Sequence, residues 1–566
     1  MRYYLNGKAA LSLYKSEVES DYFVDKSLLL KELFPLVDTG NKHICITRPR
    51  RFGKSIMAAM VAAFFGKGED SSEVFDSLKI AKEKTDEKSV TKEKTVSYKK
   101  YMNQYNVIYI NFIKPSSTCK SYSEFISWVE RRLSLDLHKE FPDVDFLEGA
   151  SPLDDLSVIY EETREKFIIV IDEWDCIFHK DYISDNDRKS FINWLAALTK
   201  DTGYVALTYM TGVLPIAKYS SGSTINNFYE YTMAAQAKYS EYFGFSDEEV
   251  DMLYERYLKI EDNPLVDRED LRFWYDGYCT ASGIKLYNPR SVVLALTNNC
   301  LGSYWTNTGP YDELSRYIVN DVDGLKKDIA LMVAGEPVKA NVEEFAATAM
   351  NLNTKDEVFS AMVVYGFLNY ENGKVHIPNK ELMDEFSKTI RKRRDFGYVN
   401  SLAVESDRML QATLKGDTKT MEEILQFAHD TETPLLDYNS ETELTAIVNL
   451  VYLSSRDTYR VEREDKAGEG YVDFIFYPKK TGDDGIILEL KVDDTPEAAI
   501  RQIKDRNYAL KFVGRIAKKE RYTGNVLLVG IGYDKKNKDH HCKVERLLIK
   551  DIKATEKKES STGRRL

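Results

Sequence analysis

The stretch from residue 43 to residue 65 constrains the fold more than any other, and it reads HICIT-RPRRFGKS-IMAAMVAAFF. A short apolar run predicts a buried strand, and the apolar run after Ser55 predicts a helix. Strand, loop and helix with Gly53-Lys54-Ser55 at the junction form the context of a phosphate-binding loop. The helix N-terminus offers free N–H groups to phosphate oxygens, Lys54 adds positive charge, and Ser55 can ligate magnesium. Arg48 stands where such loops usually begin with glycine, which weakens the prediction on residue pattern alone.

A second apolar strand, FIIVIDEWD at residues 167–175, ends in two adjacent acids, Asp172 and Glu173. Carboxylates at the tip of a buried strand are costly unless they have a function there. In a nucleotide hydrolase the aspartate helps to hold magnesium and the glutamate polarises the attacking water. Both stretches together predict ATP and Mg²⁺ as cofactors. The alternative is an ordinary strand end with two solvated acids.

Bulk properties narrow the class of protein. A chain of 566 residues is expected to form two to four domains. A net charge of −12 argues against a protein that coats nucleic acid with its whole surface. The six cysteines are scattered with no C-x-x-C pair, which predicts reduced thiols in the cytoplasm. No apolar run is long enough for a signal peptide core or a membrane span, so no membrane partner is expected.

The order of patterns along the chain predicts an α/β multidomain fold. Residues 1–235 alternate apolar strands, at 43–47, 107–112, 167–171 and 204–211, with helices. Residues 236–395 are mostly helical and end in a helix and two strands joined at Asn372-Gly373, which fits either a winged-helix-like unit or a helical domain with one hairpin. Residues 396–552 form a third domain with a last strand at 525–532 and a charged segment after it. Residues 553–566 are predicted to be a disordered tail.

The first 310 residues resemble the AAA-ATPase-like family of bacterial proteins. The phosphate loop of that family itself reads R-P-R-R-F-G-K-S, so Arg48 belongs to the motif. Further matches are VIDEWD, YMTGV, WYDGY, YNPRSV and YWTNTG. The resemblance implies a P-loop domain with a parallel sheet. In it, the nucleotide-binding residues are Arg48, Gly53, Lys54, Ser55 and Asp172, with Ser55 and Asp172 also on the metal and Glu173 catalytic. The aromatic pairs Trp274-Tyr275 and Tyr304-Trp305 are expected to pack rather than to stack on a ligand.

The third domain contains YVDFIFYPKKTGDDGIILELKV at residues 471–492. Alternate residues of a strand share a face, so Glu489 and Lys491 point the same way. Asp473 lies on the preceding strand, which the intervening turn allows to pair antiparallel. Two carboxylates at such a short distance favour the binding of a divalent cation. A lysine beside them suits metal-assisted phosphodiester hydrolysis. An ordinary solvated face of an edge strand explains the pattern about equally well.

The spacing of Asp473 and the E-L-K triplet resembles the PD-(D/E)XK nuclease superfamily, with a core order of α-β-β-β-α-β. The superfamily's proline is absent, and Val472 stands before the aspartate. The resemblance implies a restriction-endonuclease-like domain in which Asp473 and Glu489 ligate the metal and Lys491 is catalytic. It also implies a catalytic Gln502, since Gln502 and Tyr508 match the family's Q-I-x-x-x-x-Y helix. Glu443, in a capping box with Ser440, is a further candidate acid.

Charge in the third domain fits a nucleic-acid partner, expected to be DNA. Between residues 500 and 522, eight basic residues stand against two acidic ones. We therefore expect a protein that binds and hydrolyses ATP and whose nucleotide state regulates an Mg²⁺-dependent nuclease. The alternative is a nucleotide-switched binding or signalling module whose nuclease-like fold is not catalytic. The sequence leaves open whether the chain forms a homo-oligomer.

Overall fold

The computed structural model describes residues 2–82, 98–216, 219, 225–233, 237–305, 318, 322–342, 352–392, 394, 398–429, 441–467, 470–512, 515–517, 520–548 and 550–552. The chain divides into two compact units. One unit comprises Met1–Pro310 with Ala340–Asn379, and the other comprises Tyr311–Lys339 with Lys380–Leu566. The domain boundaries predicted at residues 235, 395 and 552 stay predictions.

A parallel five-stranded sheet forms the centre of the first unit. Its strands are β1 (His43–Thr47), β2 (Asn106–Asn111), β3 (Phe167–Asp172), β4 (Val205–Gly212) and β5 (Tyr229–Tyr231). They lie in the order β2-β3-β4-β1-β5, and every pairing is parallel. The four predicted strands are confirmed to within one residue at each end. Parallel strands that all run the same way bring their carboxyl ends to one edge, where polar side chains can meet.

Helices cover this sheet because their apolar faces need a partner. Lys54–Phe65, which follows β1, buries nearly all of its side chains in the main hydrophobic core. The other α-helices of the first unit, up to residue 310, are Ala9–Val18, Leu29–Leu33, Ser72–Phe75, Lys79–Lys82, Ile113–Thr118, Tyr122–Glu140, Pro152–Thr163, Asp185–Thr199, Asp247–Ile260, Arg268–Tyr275 and Pro289–Thr297. A short antiparallel pair, Tyr278–Cys279 with Lys285–Leu286, lies between the last two.

The helix and hairpin predicted near the end of the middle region are both present. The helix Lys355–Tyr365 starts with a capping box and ends at Gly366, which has a φ of 86°. The strands Asn369–Glu371 and Lys374–His376 pair antiparallel around Asn372-Gly373, where both residues have positive φ. Asparagine followed by glycine tolerates that conformation, which a two-residue hairpin requires. Both alternatives for this region, winged-helix-like or helical with a hairpin, contain these elements.

A mixed sheet forms the centre of the second unit. Its strands are β6 (Tyr459–Ala467), β7 (Gly470–Pro478), β8 (Gly485–Val492), β9 (Val526–Asp534) and β10 (Asp539–Leu547). They lie in sequence order, with β8 and β9 parallel and the other pairs antiparallel. One helix, Glu441–Val451, precedes β6, and another, Pro496–Asp505, connects β8 to β9. The predicted order α-β-β-β-α-β is confirmed.

The prediction that the strand at 525–532 is the last one is wrong, because β10 follows β9 within the charged stretch. Its sequence, DHHCKVERL, contains few apolar residues, and several of its side chains are exposed. Such an edge strand has no continuous apolar pattern, because only some of its side chains reach the core.

The remaining elements of the second unit are the helices Leu325–Val333, Lys380–Lys392, Tyr398–Lys415 and Thr418–His429 and the short strands Val338–Lys339, Arg515–Ala517 and Glu520–Arg521. The predicted tail at 553–566 lies outside the described residues, as do Ser440 and the side chain of Glu443. In the part of the chain that the structure describes, no helix is both long and apolar enough to cross a membrane.

Candidate nucleotide and nuclease sites

The predicted phosphate loop connects the end of β1 to a helix that begins at Lys54. Gly53 occupies the N-cap position with a φ of 85°, a left-handed conformation that favours glycine. Arg51 also has a positive φ, of 71°, which costs an L-residue about 1–2 kcal/mol. Backbone strain of this kind is concentrated at ligand-binding sites. Both residues with positive φ thus lie directly before the helix N-terminus, whose N–H groups attract anions.

Lys54, Ser55, Asp172 and Glu173 meet at the carboxyl ends of β1 and β3. The Lys54 Nζ donates to the Pro49 carbonyl over 3.1 Å and lies 3.9 Å from Glu173 Oε1. Ser55 lies close enough to Asp172 to lower its pKa by hydrogen bonding. The structure thus brings four of the predicted residues together.

Asp172 is fully buried, and burial followed by the charge of Glu173 raises its pKa to about 7. The Asn111 Nδ2 donates to Asp172 Oδ2 over 2.7 Å. The other carboxylate oxygen, Oδ1, has no partner with full hydrogen-bond geometry among the described residues. A buried acid beside a serine hydroxyl suits Mg²⁺, which prefers oxygen ligands and relieves the cost of the buried charge.

A cavity of about 680 Å³ opens beside this group, which is a typical size for a small-ligand site. Gly53, Lys54, Ser55 and Glu173 line it. Three arginines also line it, namely Arg50, Arg51 and Arg290. Partial burial, followed by the repulsion of the Arg290 and Arg50 charges, lowers the pKa of Arg51. A polyphosphate would offset this repulsion.

Two residues of this cavity were missed by sequence reasoning as site residues. Asp175 is buried, and its Oδ2 accepts the N–H groups of Val213 and Leu214 over 3.0 and 2.8 Å. It therefore holds the segment that follows β4 against the cavity. The signals were present, since Asp175 ends the VIDEWD motif and Arg290 lies in YNPRSV. Glu173, which also lines the cavity, has a φ of 54° and is a further strained position.

Arg48 lies apart from the cavity lining. Only 1% of this residue is exposed, and its Nη1 donates to the carbonyls of Thr47 and Tyr231 over 2.7 and 2.8 Å. Its guanidinium lies 5.1 Å from the centre of the Phe243 ring. The side chain thus joins the ends of β1 and β5, and its role in nucleotide binding stays a prediction without a contact that supports it.

In the second unit, Asp473 and Glu489 lie side by side where β7 and β8 separate. The backbone pairing of the two strands ends with Phe474 opposite Leu488. Beyond that pair, Asp473 Oδ2 accepts the N–H of Leu490 over 2.7 Å, and Asp473 N–H donates to Glu489 Oε2 over 3.4 Å. The aspartate side chain thus replaces a backbone acceptor and turns its carboxylate towards Glu489.

Lys491 and Gln502 complete this group. The Lys491 Nζ lies 3.6 Å from Glu489 Oε1, and the Gln502 amide donates to the same oxygen. Glu489 is only 2% exposed, and burial followed by the charge of Asp473 raises its pKa to about 7, against the opposing effect of Lys491. The Gln502 side chain also hydrogen-bonds Tyr508, which is buried. The structure therefore brings together all four residues predicted for this site.

Close packing of a helix on the sheet explains how Gln502 reaches Glu489. Thr495 caps the helix Pro496–Asp505, because its side chain accepts a hydrogen bond from Ala498 N–H. Gly530 on β9 lies beside Glu489 in the parallel register. A Cβ at Gly530 would approach the Pro496 carbonyl to 2.2 Å, so only glycine permits this approach.

Among the described residues, no group of three or more His, Cys, Asp or Glu side chains could hold a metal ion. The two carboxylates of Asp473 and Glu489 nonetheless suit Mg²⁺, which is commonly bound by one or two carboxylates with phosphate oxygens and water. Glu443, the third candidate acid, lies among the side chains outside the description.

Comparison with protein families matches both regions. Residues 13–221 match the family model described as "Predicted AAA-ATPase", and residues 442–537 match that of the PD-(D/E)XK nuclease superfamily. The chain carries an AAA-ATPase-like domain followed by a PD-(D/E)XK nuclease superfamily domain. The first match contains Lys54, Ser55 and Asp172, and the second contains Asp473 and Glu489.

Individual relatives are distant. An uncharacterized protein in the vnfD 5′ region of Azotobacter chroococcum mcd 1 is 23% identical over 302 residues, which cover 52% of each chain. The chain thus spans about half the length of the curated relative it matches. The Walker-type ATPase PABY2304 of Pyrococcus abyssi is 12% identical, covering 64% of this chain and 94% of its own, with a TM-score of 0.34. The ORC2 protein of Aeropyrum pernix, in ADPNP and ADP complexes, is 12% identical with a TM-score of 0.30, covering 68% and 94%. At these TM-scores the likeness supports no inference about the sites.

Proposed function

We propose that the AAA-ATPase-like domain binds and hydrolyses ATP and that the nuclease superfamily domain cleaves nucleic acid, expected to be DNA, in an Mg²⁺-dependent reaction. We further propose that the nucleotide state regulates cleavage. The observation that carries this proposal is the meeting of Asp473, Glu489 and Lys491 inside a nuclease superfamily domain. The scattered free cysteines fit a reducing cytoplasm.

In the nuclease site, Asp473 and Glu489 would hold the ion through carboxylate oxygens. Bound Mg²⁺ supplies Lewis acidity and lowers the pKa of water at the scissile phosphate. Lys491 places a positive charge beside Glu489, where it stabilises charge that develops on the phosphate. Gln502 fixes the orientation of Glu489 by donating to Oε1, and Tyr508 in turn holds Gln502. Arg501 and Lys504 of the same helix, and Arg506 directly after it, are exposed cations that suit a phosphate backbone.

In the ATPase site, the helix N-terminus at Lys54 binds the phosphates through backbone N–H groups and the lysine charge. Ser55 and Asp172 would hold Mg²⁺, which neutralises charge on the β- and γ-phosphates. Glu173 lies 3.9 Å from the Lys54 Nζ and lines the cavity, so it can position the attacking water near the outer phosphate. Arg50, Arg51 and Arg290 add positive charge around the same space.

A cleavage assay tests the nuclease proposal. The purified full-length chain is incubated with labelled DNA and RNA, single- and double-stranded, with and without Mg²⁺ or Mn²⁺ and with and without ATP. We expect metal-dependent cleavage whose rate changes with ATP. Glu489→Gln and Lys491→Ala should each lose cleavage by orders of magnitude.

The matched control is Glu497→Gln, which removes an equal charge from an exposed side chain of the same domain. It should cut at the parental rate, and melting curves should show that all variants are folded. Equal cleavage by the parent and by folded Glu489→Gln and Lys491→Ala variants would place the active site elsewhere. Binding of nucleic acid without cleavage, in every metal, would favour the nucleotide-switched binding module instead.

A further inference from the structure

Three motif stretches of the first unit make contacts that converge on one of its elements. They are Pro49-Arg50 before the glycine of the phosphate loop, Gly277-Tyr278 of WYDGY, and Trp305 of YWTNTG. Each contacts the segment from Thr354 to Pro378, which comprises the helix Lys355–Tyr365 and its hairpin and is called here the helix–hairpin segment.

The first set of contacts joins the helix–hairpin segment to the phosphate loop. A Cβ at Gly366 would lie 2.7 Å from the Pro49 Cβ, so the backbone of the segment presses against the proline ring. The Trp305 Nε1 donates to the Arg50 carbonyl over 3.1 Å, and its ring packs on Phe367 with centroids 5.1 Å apart. The segment therefore supports Pro49 directly, and it supports Arg50 through Trp305.

A second set of contacts fixes the segment on the WYDGY region. The Tyr278 hydroxyl donates to the Gly366 carbonyl over 2.9 Å, and Cys279 N–H donates to Asn369 Oδ1 over 2.8 Å. Gly277 has a φ of 117°, and a Cβ there would lie 1.8 Å from the Pro378 carbonyl. Both the start and the end of the hairpin are thus held in place.

Lys54 connects these contacts to the nucleotide. Its Nζ donates to the carbonyl of Pro49, the same residue whose ring packs against Gly366. The ammonium group has three N–H donors, so a phosphate that binds Lys54 also pulls on the group that the Pro49 carbonyl accepts from. Nucleotide binding therefore acts directly on the residue against which the helix–hairpin segment rests.

The helix–hairpin segment ends one residue before the boundary between the two units. Asn379 ends the first unit and Lys380 begins the second. Pro378 is held against Gly277, while Lys380 is buried and paired with Asp384 at the start of the helix Lys380–Lys392. Only Asn379 lies between Pro378 and Lys380 in the sequence, so the chain continues from the segment directly into the helix Lys380–Lys392.

We propose that the helix–hairpin segment transmits the nucleotide state of the phosphate loop to the unit that carries the nuclease superfamily domain. This inference rests on the proposed ATP binding and names the element through which regulation acts. Trp305 and Tyr278 are positioning residues in this scheme, since they contact the segment and the loop rather than line the cavity.

Hydrogen–deuterium exchange on the full-length chain tests the proposal. ATP binding is first measured by titration, and exchange is then compared with and without saturating ATP. We expect ATP to change exchange in the peptides that cover residues 355–376 and 380–392. Trp305→Phe and Tyr278→Phe each remove one hydrogen bond and keep a ring, so they should still bind ATP within about tenfold of the parent. They should nonetheless lose at least half of the ATP-dependent change in residues 380–392.

The matched control is Tyr304→Phe, which removes the hydroxyl that donates to the carbonyl of Cys300, a residue outside the phosphate loop. It should keep the full response, and each variant is examined at ATP saturation set by its own titration. A parent that binds ATP without an exchange change in either peptide, or variants that keep the full response, overturns the transmission role and leaves ATP binding intact. A parent that does not bind ATP overturns the proposed function and the transmission role with it.

Discussion

Glu489→Gln should make the second unit more stable than the parent at alkaline pH without divalent metal, although it should abolish cleavage. Glu489 is 2% exposed, and burial with the neighbouring Asp473 raises its pKa from 4.5 to about 7. Above that pH the folded chain holds a buried charge that the unfolded chain would hold in water. Glutamine has nearly the same shape, cannot ionise, and keeps an oxygen that accepts from Gln502.

The sign follows from proton binding. Between about pH 4.5 and pH 7 the folded state binds more protons than the unfolded state, so stability falls as pH rises through this window. At ~1.36 kcal/mol per pKa unit, the cost above pH 7 is about 3 kcal/mol. A unit of this size gains roughly 2–4 °C in melting temperature per kcal/mol, so the variant should melt several degrees higher at pH 8. Near pH 5 the two proteins should melt together.

Calorimetry of the full-length parent and variant at both pH values, in a chelator, measures this difference. Glu497→Gln, an exposed change in the same domain, should show no pH-dependent gain. Added Mg²⁺ should stabilise the parent by mass action and leave the variant nearly unchanged, so the gap narrows or reverses. A Glu489→Gln protein that melts at or below the parental temperature at pH 8 without metal would refute the claim that the ionised Glu489 carboxylate destabilises the folded state.

Three further changes separate the two domains. Lys54→Ala should reduce ATP affinity sharply in a nucleotide titration, whereas Lys67→Ala, an exposed lysine just after the same helix, should bind like the parent. Asp172→Asn should weaken the Mg²⁺-dependent part of ATP binding, while Glu173→Gln should bind ATP and turn it over more slowly; a parental rate would exclude the water-positioning role. Lys491→Ala should abolish cleavage yet keep Mn²⁺ binding in calorimetric titration, because lysine is not a ligand.

Much of the fold could be predicted because apolar runs of strand length have few alternatives. The strands β1, β3 and β8 are almost wholly buried, and their short apolar runs indicate this burial. The strands of the two five-stranded sheets that were missed, β5 and β10, lie at sheet edges, where half-exposed tyrosines or charges replace the apolar run. Their pairing depends on neighbours far away in the chain, which a local pattern does not contain.

The nuclease group could be predicted for a different reason. Asp473, Glu489 and Lys491 lie on two strands joined by a turn, so alternation and antiparallel pairing suffice to place them together. The ATPase group was predicted in part. Lys54 and Asp172 follow separate strands whose carboxyl ends meet by the rule for parallel sheets, whereas Asp175 and Arg290 were missed. The direction of Arg48 was not predictable, because its hydrogen-bond partner on Tyr231 lies 183 residues away in sequence.

For the aromatic pair Tyr304-Trp305, the prediction of packing did not include the partner against which Trp305 packs. Burial statistics favoured packing for Tyr304-Trp305, and Trp305 is indeed only 5% exposed. What it packs against was hidden, since its partner Arg50 lies 255 residues earlier in the chain. A packing residue that rests on a phosphate loop differs from one in a passive core, because its removal changes the response to ATP more than the melting temperature. Trp305→Phe therefore distinguishes the two cases: a variant with parental stability and a weakened ATP response identifies packing that carries a signal.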